Sequence, residues 1–234
     1  MARKTTYTPD SLLRSLSLLT ENMTEDQQRE LLAQCVVRYY RAGQVVSGEG
    51  DMAKNLFIIL KGVAKISICG DAQRWQTVRL VKKGEYFGYR AFFADQLHLA
   101  SYIAMTDMDV CAIPMEFIKI CLEANPSLKD FFLKRLALGL WQADYRFVCL
   151  VQKHLRGRMA ATLLSLAEYF GYEIDGKTLA FAVSRAELAN LSNMTTSNAI
   201  RTLSAFVSEG LIKLNKRKIT ILKEDELTHI STHD

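Results

Sequence analysis

At 234 residues, with 49% hydrophobic residues and three prolines, the chain can bury sizeable cores, divides naturally into two domains and has the composition of an ordinary soluble protein. Its formal net charge of +5 is modest but unevenly spread: Lys153 to Lys223 holds 11 Lys and Arg against 5 Asp and Glu, whereas Glu224 to Asp234 is acidic, a distribution suited to nucleic-acid binding. The start MARKTTYTPD lacks a long apolar core and no stretch is apolar for long enough to span a bilayer; this argues against a secretory signal or a membrane helix and makes the cytoplasm the expected location.

Residues Asp10 to Cys35 are predicted to be helical. Ser11, Leu12, Leu16 and Leu19 mark a first segment, and Thr24 with Gln27 has the capping-box spacing that opens a second, carrying Leu31, Leu32 and Cys35. From Val36 the period changes to two. Short runs rich in β-formers (Val36 to Tyr40, Gln44 to Val46, Leu56 to Leu60, Val63 to Ile68, Thr77 to Val81, Tyr102 to Ala104 and Asp109 to Ile113) are separated by Gly43, Gly48, Gly50, Gly62, Gly70, Gly84 and Gly88. Such spacing predicts a compact β-sandwich or barrel. Cys35, Cys69, Cys111, Cys121 and Cys149 are scattered without the spacing of a zinc or cluster site and read as buried small apolar residues, a redox role for one of them being the alternative.

After Pro114 the pattern returns to helix. Met115 to Leu122 is short and ends at Asn125-Pro126; Ser127 begins the longest periodic run, to about Gln152. Leu138, Trp141, Tyr145 and Val148 follow a three-four-three spacing, the seam of a helix that pairs with its symmetry mate. A second stripe, Leu136, Leu140, Phe147 and Leu150, is expected to lie on the β domain, and Gly139 loosens the seam by about 1 kcal/mol relative to alanine. Two apolar faces on one helix predict a homodimer.

The stretch VSRAELANLSNMTTSNAIRTLSAFVSEG, Val183 to Gly210, reads as two short helices joined by a tight turn. Ser184 with Glu187 has the capping-box spacing, Leu188 and Leu191 are the buried stripe, and Asn193 sits where the backbone must turn left-handed. A second helix starts at Thr195 with Ile200, Leu203, Phe206 and Val207 expected inward, leaving Thr196, Ser197, Arg201 and Ser204 outward. Small polar side chains let a helix approach a groove closely, its first amides can hold phosphate, and arginine can pair bidentately with guanine. Gly210 ends the helix. LIKLNKRKITIL, Leu211 to Leu222, alternates about an Asn215-Lys216 turn and predicts a hairpin tipped with Lys216, Arg217 and Lys218, which completes a winged helix-turn-helix. The candidate DNA contacts are Ser184, Arg185, Thr195, Thr196, Ser197, Asn198, Arg201, Lys216 and Arg217.

Before this region, KGVAKI, with GEGDMAKNLFIIL ahead of it and VKKGEYFG after it, closely resembles the cyclic-nucleotide-binding β-roll. Joined to the winged helix-turn-helix, the chain resembles the Crp/Fnr family of bacterial transcription regulators over nearly its whole length. The resemblance implies an α+β fold: a jelly-roll-like β-roll sensor domain with N-terminal helices (1–126), a dimerisation helix and hinge (127–153) and a winged helix-turn-helix domain (154–234). It also implies a homodimer on double-stranded DNA that contacts RNA polymerase if it activates. HLRGRMAATLLSLAEYFG, His154 to Gly171, resembles the first helix of the family's DNA-binding domain; the family commonly has aspartate where His154 stands, so hinge coupling is expected to differ. The loop Tyr172 to Lys177 and strand-like LAFAV then lead back to Ser184.

The effector pocket departs from the pattern. Cyclic-AMP binders of the family carry a glutamate for the ribose and an Arg-Ser pair for the cyclic phosphate. Within GEYFGYRAFFADQLHLASY an ungapped reading puts Tyr89 at the glutamate and Leu99 and Ala100 at Arg and Ser. A cyclic phosphate against leucine and alanine lacks its charge partner, so cyclic AMP is not expected to bind in the usual way. Tyr86, Gly88, Tyr89, Arg90, Leu99 and Ala100 are the candidate effector positions, with Arg90 either serving an anion or structurally paired. Tyr86, Phe87, Phe92 and Phe93 read as core or as the lining of an apolar pocket. His98 could ligate haem, but the sequence offers no second ligand. No iron–sulfur cysteine cluster, nucleotide loop or metal-spaced histidines are present, and no metal or enzymatic activity is expected. The competing class is a ligand-gated regulatory subunit whose C-terminal domain docks an acidic protein.

Overall fold

The computed structural model describes residues 7–71 and 75–233; residues 1–6, the first part of the stretch read for a secretory signal, lie outside the described residues. The chain forms two compact units, Met1–Leu140 and Trp141–Asp234.

The first unit opens with α1 (Pro9–Ser15), α2 (Ser17–Thr20) and α3 (Glu25–Gln34). The predicted capping box opens α3: Thr24 Oγ1 accepts from the Gln27 amide and Gln27 Oε1 from the Thr24 amide. Ten further elements follow: β1 (Val36–Tyr40), β2 (Val45–Ser47), β3 (Asn55–Lys61), β4 (Val63–Cys69), β5 (Trp75–Lys82), β6 (Tyr86–Phe87), α4 (Tyr89–Phe93), β7 (Ser101–Ala104), β8 (Met108–Pro114) and α5 (Met115–Ala124). Every predicted strand run forms, β2 displaced by one residue. The brief β6 and α4 fall in the aromatic run that composition left unassigned.

Two four-stranded antiparallel sheets, in the orders β1-β8-β3-β6 and β2-β7-β4-β5, face each other. Strand alternation divides the core in two. Phe57, Ile59, Phe87, Val110 and Ala112 meet Ala64, Val81, Tyr102 and Ala104 between the sheets. Leu56, Ile58, Leu60, Tyr86, Cys111 and Ile113 point the other way, onto Leu12, Leu16, Leu19, Leu31 and Phe117 of the helices. The first sheet is therefore covered on both faces, which explains why NLFIILK of β3 is nearly continuously apolar. Cys35 is not part of the helical stripe: its backbone is extended at the end of α3, and its Sγ lies 2.8 Å from that of Cys111.

Helix α6 (Pro126–Gln152) starts on this unit through Leu128 and Phe132, with Leu136 partly buried behind them and the Arg135 guanidinium 4.8 Å from the centre of the Tyr86 ring. Leu140, expected on the β domain as part of the second stripe, is exposed instead. Four-residue steps on a 3.6-residue turn rotate by about 40° each, so Leu140 has turned about 120° away from Leu128. A Cβ at Gly139 would meet the guanidinium end of the exposed Arg90 side chain, which is free to swing aside.

The second unit continues with α7 (Leu155–Phe170), α8 (Arg185–Leu191), α9 (Thr196–Ser208), the hairpin β9 (Ile212–Asn215) and β10 (Lys218–Ile221), and α10 (Glu224–His233). Met159, Leu163 and Leu166 of α7 join Leu188, Leu203, Phe206 and Leu227 in burial. The acidic tail is the start of α10, where Glu224, Asp225 and Glu226 fill the first turn and complement the exposed amides of the helix N-terminus. LAFAV does not become a strand of its own; Leu179 makes a single bridge to Tyr172, and the preceding Thr178 one to Thr220 of β10. No helix among the described residues is long and apolar enough to cross a membrane.

Candidate nucleic-acid interface

The Ser184 hydroxyl accepts from the Glu187 amide at 3.2 Å and opens α8, which buries Leu188 and Ala189. The chain then turns at Asn193, whose φ of 49° is the left-handed conformation that asparagine tolerates. Thr195 caps α9 by accepting from the Asn198 amide at 3.2 Å. At the far end Gly210, with φ 69°, allows a Schellman closure: the Leu211 amide donates to the Phe206 carbonyl at 2.9 Å and the Gly210 amide to the Val207 carbonyl at 3.0 Å. Both ends of α9 are thus closed by local sequence.

The buried face of α9 is Ala199, Thr202, Leu203 and Phe206. Ile200 and Val207, expected inward, are 49% and 41% exposed. Both lie about 90–110° from the middle of the buried arc, and Ala199 and Thr202, small enough for close packing, take the places assigned to them. The outward set stands as expected: Thr196, Ser197, Arg201 and Ser204 are exposed. Arg201 has no hydrogen-bond or ion-pair partner among the described residues.

A contact that no local pattern announces fixes α9 against α7. Arg156 grips Glu209 with two bonds, Nη1 to Oε1 at 2.6 Å and Nη2 to Oε2 at 2.7 Å, and its guanidinium lies 5.1 Å from the Phe206 ring centre. These hydrogen bonds hold the Glu209 carboxyl below the usual glutamate range. The partners are 53 residues apart, which is why sequence periodicity missed them.

At the hairpin, Asn215 pairs with Lys218, so the turn is Lys216-Arg217, one residue later than predicted. Lys216 adopts a φ of 53°, and both turn residues are exposed. Lys218 is engaged, its Nζ 2.6 Å from Glu173 Oε1. Arg185 is half-buried and braces the wing, Nη2 donating to the Lys216 carbonyl at 3.0 Å. Among the nine candidate contacts, the Ser184 and Thr195 hydroxyls therefore cap helices, Asn198 gives only its backbone amide to the second cap, and Arg185 acts as a brace. Thr196, Ser197, Arg201, Lys216 and Arg217 present free polar or cationic tips.

The six candidate effector residues all lie in the first unit. Tyr86 and Tyr89 are buried on the helix side of the sheet, the Tyr89 ring edge-on to Phe132 at 5.6 Å. Phe92 and Phe93 pack against the same core. Gly88 lies against β3, where an added Cβ would meet the Asn55 carbonyl at 2.6 Å. Arg90 covers Gly139, Ala100 is buried and Leu99 is 72% exposed. His98 is a buried core residue whose Nδ1 is 3.4 Å from Tyr102 Oη, with the rings edge-on; burial pulls its pKa below the ordinary histidine value, the Asp51 carboxylate opposing. On α6, Leu138, Trp141, Tyr145 and Val148 are all between 44% and 65% exposed, and the Trp141 and Tyr145 rings stack at 6.0 Å.

The family model for the cyclic nucleotide-binding domain matches residues 37–125, and that for the Crp-like helix-turn-helix domain matches residues 157–230. The chain is 26% identical over 193 residues to the global nitrogen regulator of Nostoc, covering 80% of this chain and 86% of the relative. It is 23% identical over 186 residues to a CRP-like cAMP-activated global transcriptional regulator of Mycobacterium tuberculosis, covering 79% and 83%. Among solved structures, a transcriptional regulator of the CRP/FNR family from Thermus thermophilus superposes with a TM-score of 0.69 at 25% identity, covering 84% of this chain and 98% of that one.

Proposed function

The chain belongs to the Crp/Fnr family of transcription regulators, a family of DNA-binding proteins rather than enzymes, and from that premise we propose that it acts in the cytoplasm as a homodimer on a near-palindromic site. Two copies of α9 then enter successive major grooves about 34–36 Å apart. The observation that carries this reading is the exposed face of α9, where small hydroxyls surround an unpartnered Arg201. The exposed apolar seam Leu138, Trp141, Tyr145 and Val148 supports pairing of α6 with its counterpart. Thr196 and Ser197 stand where the resemblance implies larger or acidic recognition residues, so the half-site differs from the family's usual one. Where the protein activates, RNA polymerase is its further partner.

The test is duplex binding at several salt concentrations. Affinity falls steeply between low and moderate salt as phosphate contacts release counterions, whereas a domain that docks protein leaves duplex DNA unbound at every salt. Arg201→Ala weakens binding by about 1–3 kcal/mol per half-site and blurs one base position; unchanged affinity and preference in that variant removes Arg201 from the base contacts.

We further infer that the effector is not cyclic AMP bound in the usual way. Leu99 and Ala100 supply no charge or hydroxyl for the cyclic phosphate, and Tyr89 is committed to the aromatic core. Millimolar cyclic AMP is expected to leave both the melting temperature and the DNA affinity unchanged; a saturable rise in either overturns this inference.

A further inference from the structure

An apolar residue stands in the middle of the face that reads DNA. Ile200 is four residues after Thr196, three after Ser197 and four before Ser204, so all four share one side of α9. It is 49% exposed and contributes nothing to the buried stripe of Ala199, Thr202, Leu203 and Phe206 that seats the helix. Nor does local structure favour it: a β-branched residue is a poorer helix former than alanine at a solvated position. Single exposed apolar residues are common on protein surfaces, so exposure alone carries no weight. Location does. Thr196, Ser197 and Ser204 are short, leaving the branched side chain of Ile200 prominent on this face beside Arg201.

The floor of the major groove offers one apolar group, the C5-methyl of thymine. We propose that Ile200 reads a thymine methyl in each half-site, neighbouring the base pair that Arg201 contacts. This rests on the reading of α9 as the groove-entering helix and adds a base identity to it. Thr196, Ser197 and Ser204 can exchange hydrogen bonds with either partner of several base pairs, whereas an isoleucine side chain favours thymine, whose methyl it covers, over cytosine, whose exocyclic amine it would strip of water.

The test uses the full-length protein and duplexes that it enriches from a randomised pool. Each thymine of the enriched half-site is replaced in turn by deoxyuridine, which removes the methyl and keeps every hydrogen-bonding group. At one thymine per half-site the replacement weakens wild-type binding about fourfold, or about fifteenfold when made in both halves, the effect of one buried methyl. Ile200→Ala binds thymine and uracil equally at that position, and Ile200→Val retains part of the discrimination. Both variants are expected to melt as the wild type does, since the side chain is outside the core. Equal sensitivity to uracil in wild type and Ile200→Ala, no sensitive thymine, or a half-site without thymine overturns the proposal while leaving the groove-reading helix intact. Failure to enrich any sequence overturns that reading itself, and this proposal with it.

Discussion

Asp175 ties down the loop that leads from α7 back to α8. Its carboxylate accepts from the Thr178 hydroxyl at 2.5 Å and from the Thr178 and Lys177 amides at 2.8 and 3.0 Å. Thr178 in turn shares a hydroxyl contact of 2.8 Å with Thr220 on β10. These bonds, led by that from the Thr178 hydroxyl, hold the Asp175 pKa at about 2 against an ordinary 3.8. A carboxylate whose folded value is depressed contributes stability that is complete above the unfolded value and disappears as pH falls through the folded one. A carbon-detected NMR titration should therefore place the Asp175 midpoint near about 2, and Asp175→Ala should remove the acid-side loss of stability that this group causes between about pH 4 and 2. A midpoint at the ordinary aspartate value would mean that the loop opens in solution. Cys35 and Cys111 show the same dependence on a neighbour: the hydrogen bond between them lowers the pKa of Cys35 and raises that of Cys111.

Among the helices, α7 begins without a side-chain cap. His154 has the extended backbone of an N-cap residue, φ −71° and ψ 174°, but its ring accepts no amide, and the first turn of α7 carries no acidic residue. Aspartate, which the family commonly has here, can both accept from the second or third amide and set a negative charge against the positive helix end. His154→Asp should stabilise the protein by about 0.5–2 kcal/mol in denaturant unfolding followed by helical circular dichroism. No gain would indicate that the first turn of α7 is already satisfied by water or frays. The contrast with α9 is instructive, because α9 is closed by Thr195 at its start, by Gly210 at its end and by the Arg156–Glu209 clamp from α7. An element that presents side chains to a rigid groove benefits from such fixation, since each orientation already fixed does not have to be imposed on binding.

At the scale of the whole molecule, the proposed dimer depends on the α6 seam. Trp141→Lys places a charge among Leu138, Tyr145 and Val148 without disturbing either core, because Trp141 is exposed in the single chain. Sedimentation equilibrium should then show dissociation. Affinity for a full palindrome should fall by about 10²–10⁴-fold as the second half-site ceases to be an intramolecular partner, while affinity for a half-site changes little. A variant that remains dimeric would move the interface off this stripe. The charge asymmetry belongs to this scale too: the acidic residues after Lys223 are drawn into the start of α10, and exposed lysine and arginine at the hairpin turn and Arg201 on α9 are left as cationic features of those elements.

What the sequence determined by itself is whatever depends on neighbours within a turn or a strand. The capping hydroxyls of Thr24 and Ser184, the helix start at Thr195, the left-handed turn at Asn193, the stop at Gly210 and the alternation of the strands are local, and all formed as expected. The exposed polar side of α9 was legible for the same reason. Only the tertiary structure decided which apolar residues meet a partner. Helical spacing admits both Ile200 and Ala199 to one face, and packing against α7 and α8 chose Ala199. Tertiary packing also met Cys35 with Cys111 and drew Arg185 into bracing the wing. Periodicity specifies a face to within about a quarter turn; burial is settled by the surface that arrives from elsewhere in the chain, and no local pattern encodes it.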